Sequence, residues 1–120
     1  MKVWTDAGKT KICYVLETKE TAVFDLTEPV PVNQAEYIAL LRALHTCVER
    51  GIKEVEVYTD SQVVAYQMTG RYKCKAANLK PLRNECYKLL QRFDRWSINW
   101  IGREENQAGL ILDRLQGGAK

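Results

Sequence analysis

The sequence has a single histidine, His45, and its four cysteines, Cys13, Cys47, Cys74 and Cys86, are scattered without any Cys-x-x-Cys pair. A structural zinc site therefore lacks suitably spaced ligands, and the thiols read as buried or free groups in a reducing compartment. No stretch approaches the roughly 18 consecutive apolar residues of a membrane span, so no membrane partner is expected. The opening Met1-Lys2-Val3-Trp4-Thr5-Asp6 leads straight into a strand pattern without the blocks of a signal peptide, and a cytoplasmic location is expected. Internal repeats, linkers and low-complexity segments are also missing. With 120 residues, 46% of them hydrophobic, the chain reads as one domain, 1–120, able to bury a core of its own.

What the chain does have is a set of acids at the ends and starts of its apolar segments. Asp6 closes Val3-Trp4-Thr5-Asp6, Asp60 closes Val55-Glu56-Val57-Tyr58-Thr59-Asp60, and Glu36 sits in Asn33-Gln34-Ala35-Glu36-Tyr37. Two strands that both end in Asp can bring those side chains together at one edge of a sheet, and a helix packed on the sheet can add the Glu. Such a cluster repels itself unless a hard cation neutralises it, and an all-oxygen donor set suits Mg2+ or Mn2+. One Asp at a strand end means little in a chain with 15 acids; the set of three carries the reading.

Net charge is only +3, yet it is segregated. Residues 71–103 hold nine Lys or Arg against two acids, whereas residues 1–70 hold seven against ten. A basic segment beside an acidic, cation-seeking cluster suits a polyanion held by its phosphates and delivered to metal.

Apolar periodicity organises the rest. Strand-like runs cover Lys2 to Thr5, Lys11 to Glu17 and Thr21 to Leu26, joined by tight turns into an antiparallel meander. From Asn33 the spacing turns helical, with Tyr37, Leu40, Leu41, Leu44 and Val48 recurring at three and four until Gly51. Glu36 precedes Leu40 and Leu44 by four and eight, which puts it on the buried stripe, where a carboxylate needs a partner. Val55 to Thr59 follows as a fourth strand, and the intervening helix lets it lie parallel to the first, bringing Asp60 beside Asp6. Ser61 caps a short helix from Gln62 to Met68, a longer helix runs from Asn78 or Lys80 to Phe93, and Trp96 to Ile101 alternates as a fifth strand with Trp96, Ile98 and Trp100 on one face. A last helix starts at Asn106 and ends near Gln116, with Gly117-Gly118-Ala119-Lys120 expected to fray. The fold class is α/β, a mixed five-stranded sheet flanked by helices.

Read in order, Asn33-Gln34-Ala35-Glu36-Tyr37-Ile38-Ala39-Leu40-Leu41, Tyr58-Thr59-Asp60-Ser61, Met68-Thr69-Gly70-Arg71-Tyr72-Lys73-Cys74-Lys75, Asn78-Leu79-Lys80-Pro81-Leu82 and Arg103-Glu104-Glu105-Asn106 together resemble the type 1 ribonuclease H family over nearly the whole chain. The resemblance implies a ribonuclease H-like fold in strand order 3-2-1-4-5 and a monomeric, metal-dependent endonuclease that cuts the RNA strand of RNA/DNA hybrids. It implies a two-metal site of Mg2+ or Mn2+ with Asp6, Glu36 and Asp60 as ligands, and Glu104 assisting near the first metal or in product release. Asn33, Gln34, Ser61, Gln62, Lys73, Lys75 and Asn106 would meet the substrate, the small polar residues in the shallow minor groove and the lysines at phosphates. Lys80 fits a further phosphate contact. Tyr66 and Tyr72 fit core packing better than stacking on sugar.

Departures from the family pattern bear on function, among them Val32 where a second Asn often precedes Asn33. The fourth metal-binding Asp, expected four residues after Asn106, is Leu110, and Asp113 one helical turn further on is the candidate to stand in for it. The turn after the first Asp is shortened to Ala7-Gly8-Lys9-Thr10-Lys11. His45 lies far from the Arg103 loop, where some relatives carry a catalytic histidine, and reads as structural. A hybrid-binding or double-strand-binding module that kept the fold without the chemistry is the alternative from another class, and a protein-interaction domain is a third.

Overall fold

The computed structural model describes residues 1–117. Its elements run β1 (Lys2–Ala7), β2 (Lys11–Leu16), β3 (Thr21–Asp25), α1 (Val32–Glu49), β4 (Glu54–Thr59), α2 (Gln62–Met68), α3 (Lys80–Leu90), β5 (Arg95–Trp100), a 3-10 turn (Arg103–Glu105) and α4 (Gln107–Gly117). The sheet order is β3-β2-β1-β4-β5, as expected from the sequence. Of the expected frayed tail, Gly117 closes α4, and residues 118–120 lie outside the described part.

The meander β1-β2-β3 is antiparallel, and β4 joins β1 in parallel with Thr5 opposite Thr59. Asp6 and Asp60 are each the next residue, so this register alone sets the two carboxylates side by side. Strand pleating sorts the core. Val3, Tyr14 and Leu16 point to the side where α1 packs with Leu40, Ala43 and Leu44. Trp4, Cys13 and Val15 point to the other side, under Ala108 and Leu112 of α4. The sheet is thus sandwiched where β1 lies, and both layers meet at the end of β1 that carries Asp6.

Local signals set the helix ends. Gly51 takes φ 71° just past α1, a left-handed conformation that stops the helix at little steric cost. Ser61 Oγ accepts from the Val64 amide at 3.2 Å and caps α2, worth about 1 kcal/mol. Trp100 ends the edge strand β5 half-exposed, with Tyr66 of α2 edge to face against it. None of the described helices is long and apolar enough to cross a membrane, and all four cysteines are buried and unpaired with one another.

Candidate active site

Asp6 is supplied by β1, Asp60 by the residue after β4, and Glu36 by the second turn of α1, whose buried face also carries Ala35, Tyr37, Ala39 and Leu40. One carboxylate oxygen from each of Asp6, Glu36 and Asp60 falls within 4.8 Å of the others, the one such group among the described residues. Asp6 and Glu36 are 1% and 7% exposed. Burial, reinforced by the neighbouring acids, pushes Glu36 up to about 9; burial likewise raises Asp6 to about 6 against the opposing pull of Arg103. Asp6 Oδ2 and Glu36 Oε1 are buried without any hydrogen-bond partner. Two orphaned carboxylate oxygens converging in a protein interior cost stability unless a cation meets them, and an oxygen-only set at this spacing fits a hard divalent ion.

The loop after β5 completes the cluster. Asn106 is fully buried; its amide donates to the Thr5 carbonyl and to Asp60 Oδ1, both at 3.0 Å, while its own carbonyl oxygen accepts from the Ala108 and Gly109 amides at 3.1 and 3.3 Å. One side chain thereby ties β1, Asp60 and the start of α4 together. Asn106 was expected to meet substrate. Its burial and its full set of bonds instead make it the residue that aims Asp60.

Arg103 also lies in the cluster, a position not expected from the acids alone. Its Nη1 donates to Asp6 Oδ1 at 2.6 Å and to Asp60 Oδ2 at 3.0 Å, and its Nη2 donates to Asp113 Oδ1 at 2.6 Å. Partial burial pulls its pKa down, but bonds to Asp113 and Asp6 and the charge of Asp6 outweigh that and hold the guanidinium firmly protonated. Its signal in the sequence is its place at the head of Arg103-Glu104-Glu105-Asn106.

The other expected site residues do not join the three acids. Asp113 is 57% exposed and spends its carboxylate on Arg103, so it does not join the three acids. Leu110 is 45% exposed. Glu104 is exposed, its carboxylate folded against Gly102 and apart from the group. Asn33, Gln62, Lys73, Lys75 and Lys80 are exposed, Gln34 accepts from the Asn78 amide at 3.1 Å, and Ser61 is committed to its cap. Tyr72, expected in the core, is 43% exposed and meets Tyr66 edge to face, and Tyr66 meets Trp100 in the same way. The Trp100 indole N–H reaches the Asp60 carbonyl at 3.3 Å, which puts this aromatic group next to the acids. His45 is exposed and lines a groove with Tyr14, Phe24 and Arg42 that contains none of the expected site residues.

A family model described as reverse transcriptase-like matches residues 13–112. Ribonuclease HI of Halobacterium salinarum is 39% identical over 75 residues, covering 62% of this chain and 38% of that protein. The crystal structure of RNase H1 from the same archaeon superposes with a TM-score of 0.82 at 26% identity, covering 97% of each chain. The chain belongs to the type 1 ribonuclease H family. A further type 1 ribonuclease H, LC11-RNase H1 in complex with RNA/DNA hybrid, matches with a TM-score of 0.77 at 28% identity over 88% of each chain. The chain spans between 29% and 38% of the length of curated relatives that it matches. Leu110, at the position where a fourth acid was expected, carries no carboxylate.

Proposed function

We propose that this chain is a metal-dependent endonuclease that hydrolyses the RNA strand of RNA/DNA hybrids, using Mg2+ or Mn2+ held by Asp6, Glu36 and Asp60. The observation that carries the reading is the convergence of these three carboxylates, two of them buried with an unpartnered oxygen. A divalent ion bound there would polarise the phosphodiester and lower the pKa of a bound water. The chain's own residues do the remaining work. Asn106 fixes Asp60 through Oδ1, and the shared register of β1 and β4 fixes Asp6 beside it. The exposed Lys73, Lys75 and Lys80 are available to phosphates, and the exposed Asn33 and Gln62 to the 2′-hydroxyls of a minor groove. Glu104, exposed on the loop after β5, assists near the acids or in product release. The enzyme acts as a monomer in the cytoplasm, a reducing setting that its four free cysteines suit.

A second reading, a hybrid-binding module without cleavage, is favoured by one observation: Leu110 offers no carboxylate and Asp113 is engaged by Arg103. Hybrids labelled on either strand and incubated with Mg2+ or Mn2+ distinguish the two. Internal RNA fragments with intact DNA support the enzyme; a retained complex with no fragments supports the binding module.

A further inference from the structure

The acid positions alone do not explain why a guanidinium lies among them. Arg103 is held at both ends, by Asp6 and Asp60 on Nη1 and by Asp113 and the Gly109 carbonyl on Nη2 at 2.6 and 3.3 Å. Position 109 accommodates it by being glycine, since a Cβ there would stand 2.6 Å from Nη1 and 2.9 Å from Cζ. The arginine consumes one oxygen of Asp6 and one of Asp60. What remains for a metal is Asp6 Oδ2, the Asp60 Oδ1 that Asn106 steadies, and the carboxylate of Glu36, whose Oε1 is buried without a partner. That is one oxygen from each Asp and one Glu carboxylate, a share fit for a single ion.

Acid clusters that cut phosphodiesters commonly hold two cations about 4 Å apart. We propose that in this chain Arg103 permanently fills one of the two cation positions, so that the cluster takes a single divalent ion, with Asp113 as the positioning residue that anchors the guanidinium. The proposal rests on the metal site named under the proposed function. Charge supports it: against Asp6, Glu36, Asp60 and Asp113, Arg103 and one divalent ion leave a single negative charge, whereas a second ion would make the cluster net positive. Leu110 fits the same scheme, because a position filled by a guanidinium needs no fourth carboxylate.

Counting Mn2+ per chain by equilibrium dialysis, with low-temperature EPR to detect magnetically coupled ions, tests this on the folded protein without nucleic acid. The parent should bind one uncoupled Mn2+. Arg103→Ala should bind two, as a coupled pair, and Arg103→Lys, which keeps the charge, should return to one. Asp113→Asn, which loosens the far end of the guanidinium, should show partial second-ion occupancy and decides the matter if Arg103→Ala does not fold. Two ions in the parent, or one in every variant, would overturn the role of Arg103 while leaving the acid site standing. No ion in any of the proteins would remove the acid site itself, and the proposed function with it.

Discussion

Replacing Glu36 by Gln keeps the shape of the side chain and removes its charge, which isolates the cost of placing a carboxylate in this interior. Glu36 ionises near 4.5 in an unfolded chain and is raised to about 9 in the fold, by burial first and by the charges of Asp6 and Asp60 second. Between those limits the folded state keeps a proton that the unfolded state releases, so stability present below pH 4.5 is lost as pH rises toward 9. At 1.36 kcal/mol per unit the metal-free parent should match Glu36→Gln near pH 4, fall behind it by about 3 kcal/mol at pH 7, and trail by about 6 kcal/mol above pH 9. Asp6, raised to about 6, adds a loss of the same sign at lower pH, in both proteins. Urea titrations in chelator at three pH values give the difference directly, provided the slope with denaturant is unchanged. Adding Mg2+ should recover stability in the parent far more than in the variant. Equal stability at every pH, or a variant weaker than the parent at pH 9, would refute the reasoning that burial and like charge burden Glu36.

Asn106→Ala removes the α4 cap together with one buried and one partly buried bond and should cost about 2 to 4 kcal/mol in the same titrations, with a loss of activity as Asp60 is freed. Leu110→Asp should change stability by less than about 0.5 kcal/mol, because Leu110 is 45% exposed and leaves no cavity behind; a loss of several kcal/mol would mean that it packs in the core. Lys73→Ala and Lys75→Ala should each weaken hybrid binding alike across sequences and flatten its dependence on log salt by about one unit, as lost phosphate contacts do.

The β1-β2-β3 meander and the pairing of β4 with β1 were legible because period-2 runs broken by tight turns leave few topologies and a helix between the third and fourth runs favours a crossover onto β1, whereas the place of β5 came from the family resemblance. Glu36 was legible for a similar reason: its spacing to Leu40 and Leu44 places it on the buried stripe whatever else packs there. Arg103 was not, since a long side chain with several rotatable bonds reaches Asp6, Asp60 and Asp113 only once β1, β4 and α4 have converged. The same convergence decides Asp113, whose helical phase alone permits either a metal or an arginine partner. Asn106 reads from sequence as a polar loop residue; its burial follows from bonding in both directions, which no single neighbour in the chain announces. Trp100 shows the limit of alternation, which assigns a face to a residue without telling whether that face is covered at the end of an edge strand.

Whether Asp6, Glu36 and Asp60 form a cation site that cuts RNA in a hybrid is read from cleavage of an RNA/DNA hybrid labelled on the RNA strand, in Mg2+ or Mn2+, with the parent beside Asp60→Asn. The parent should make internal cuts in the RNA, with none in chelator and none or nearly none by Asp60→Asn, whose fold is retained. A parent that binds the hybrid and leaves it whole with either ion, or an Asp60→Asn protein that cuts as fast as the parent, would contradict that reading.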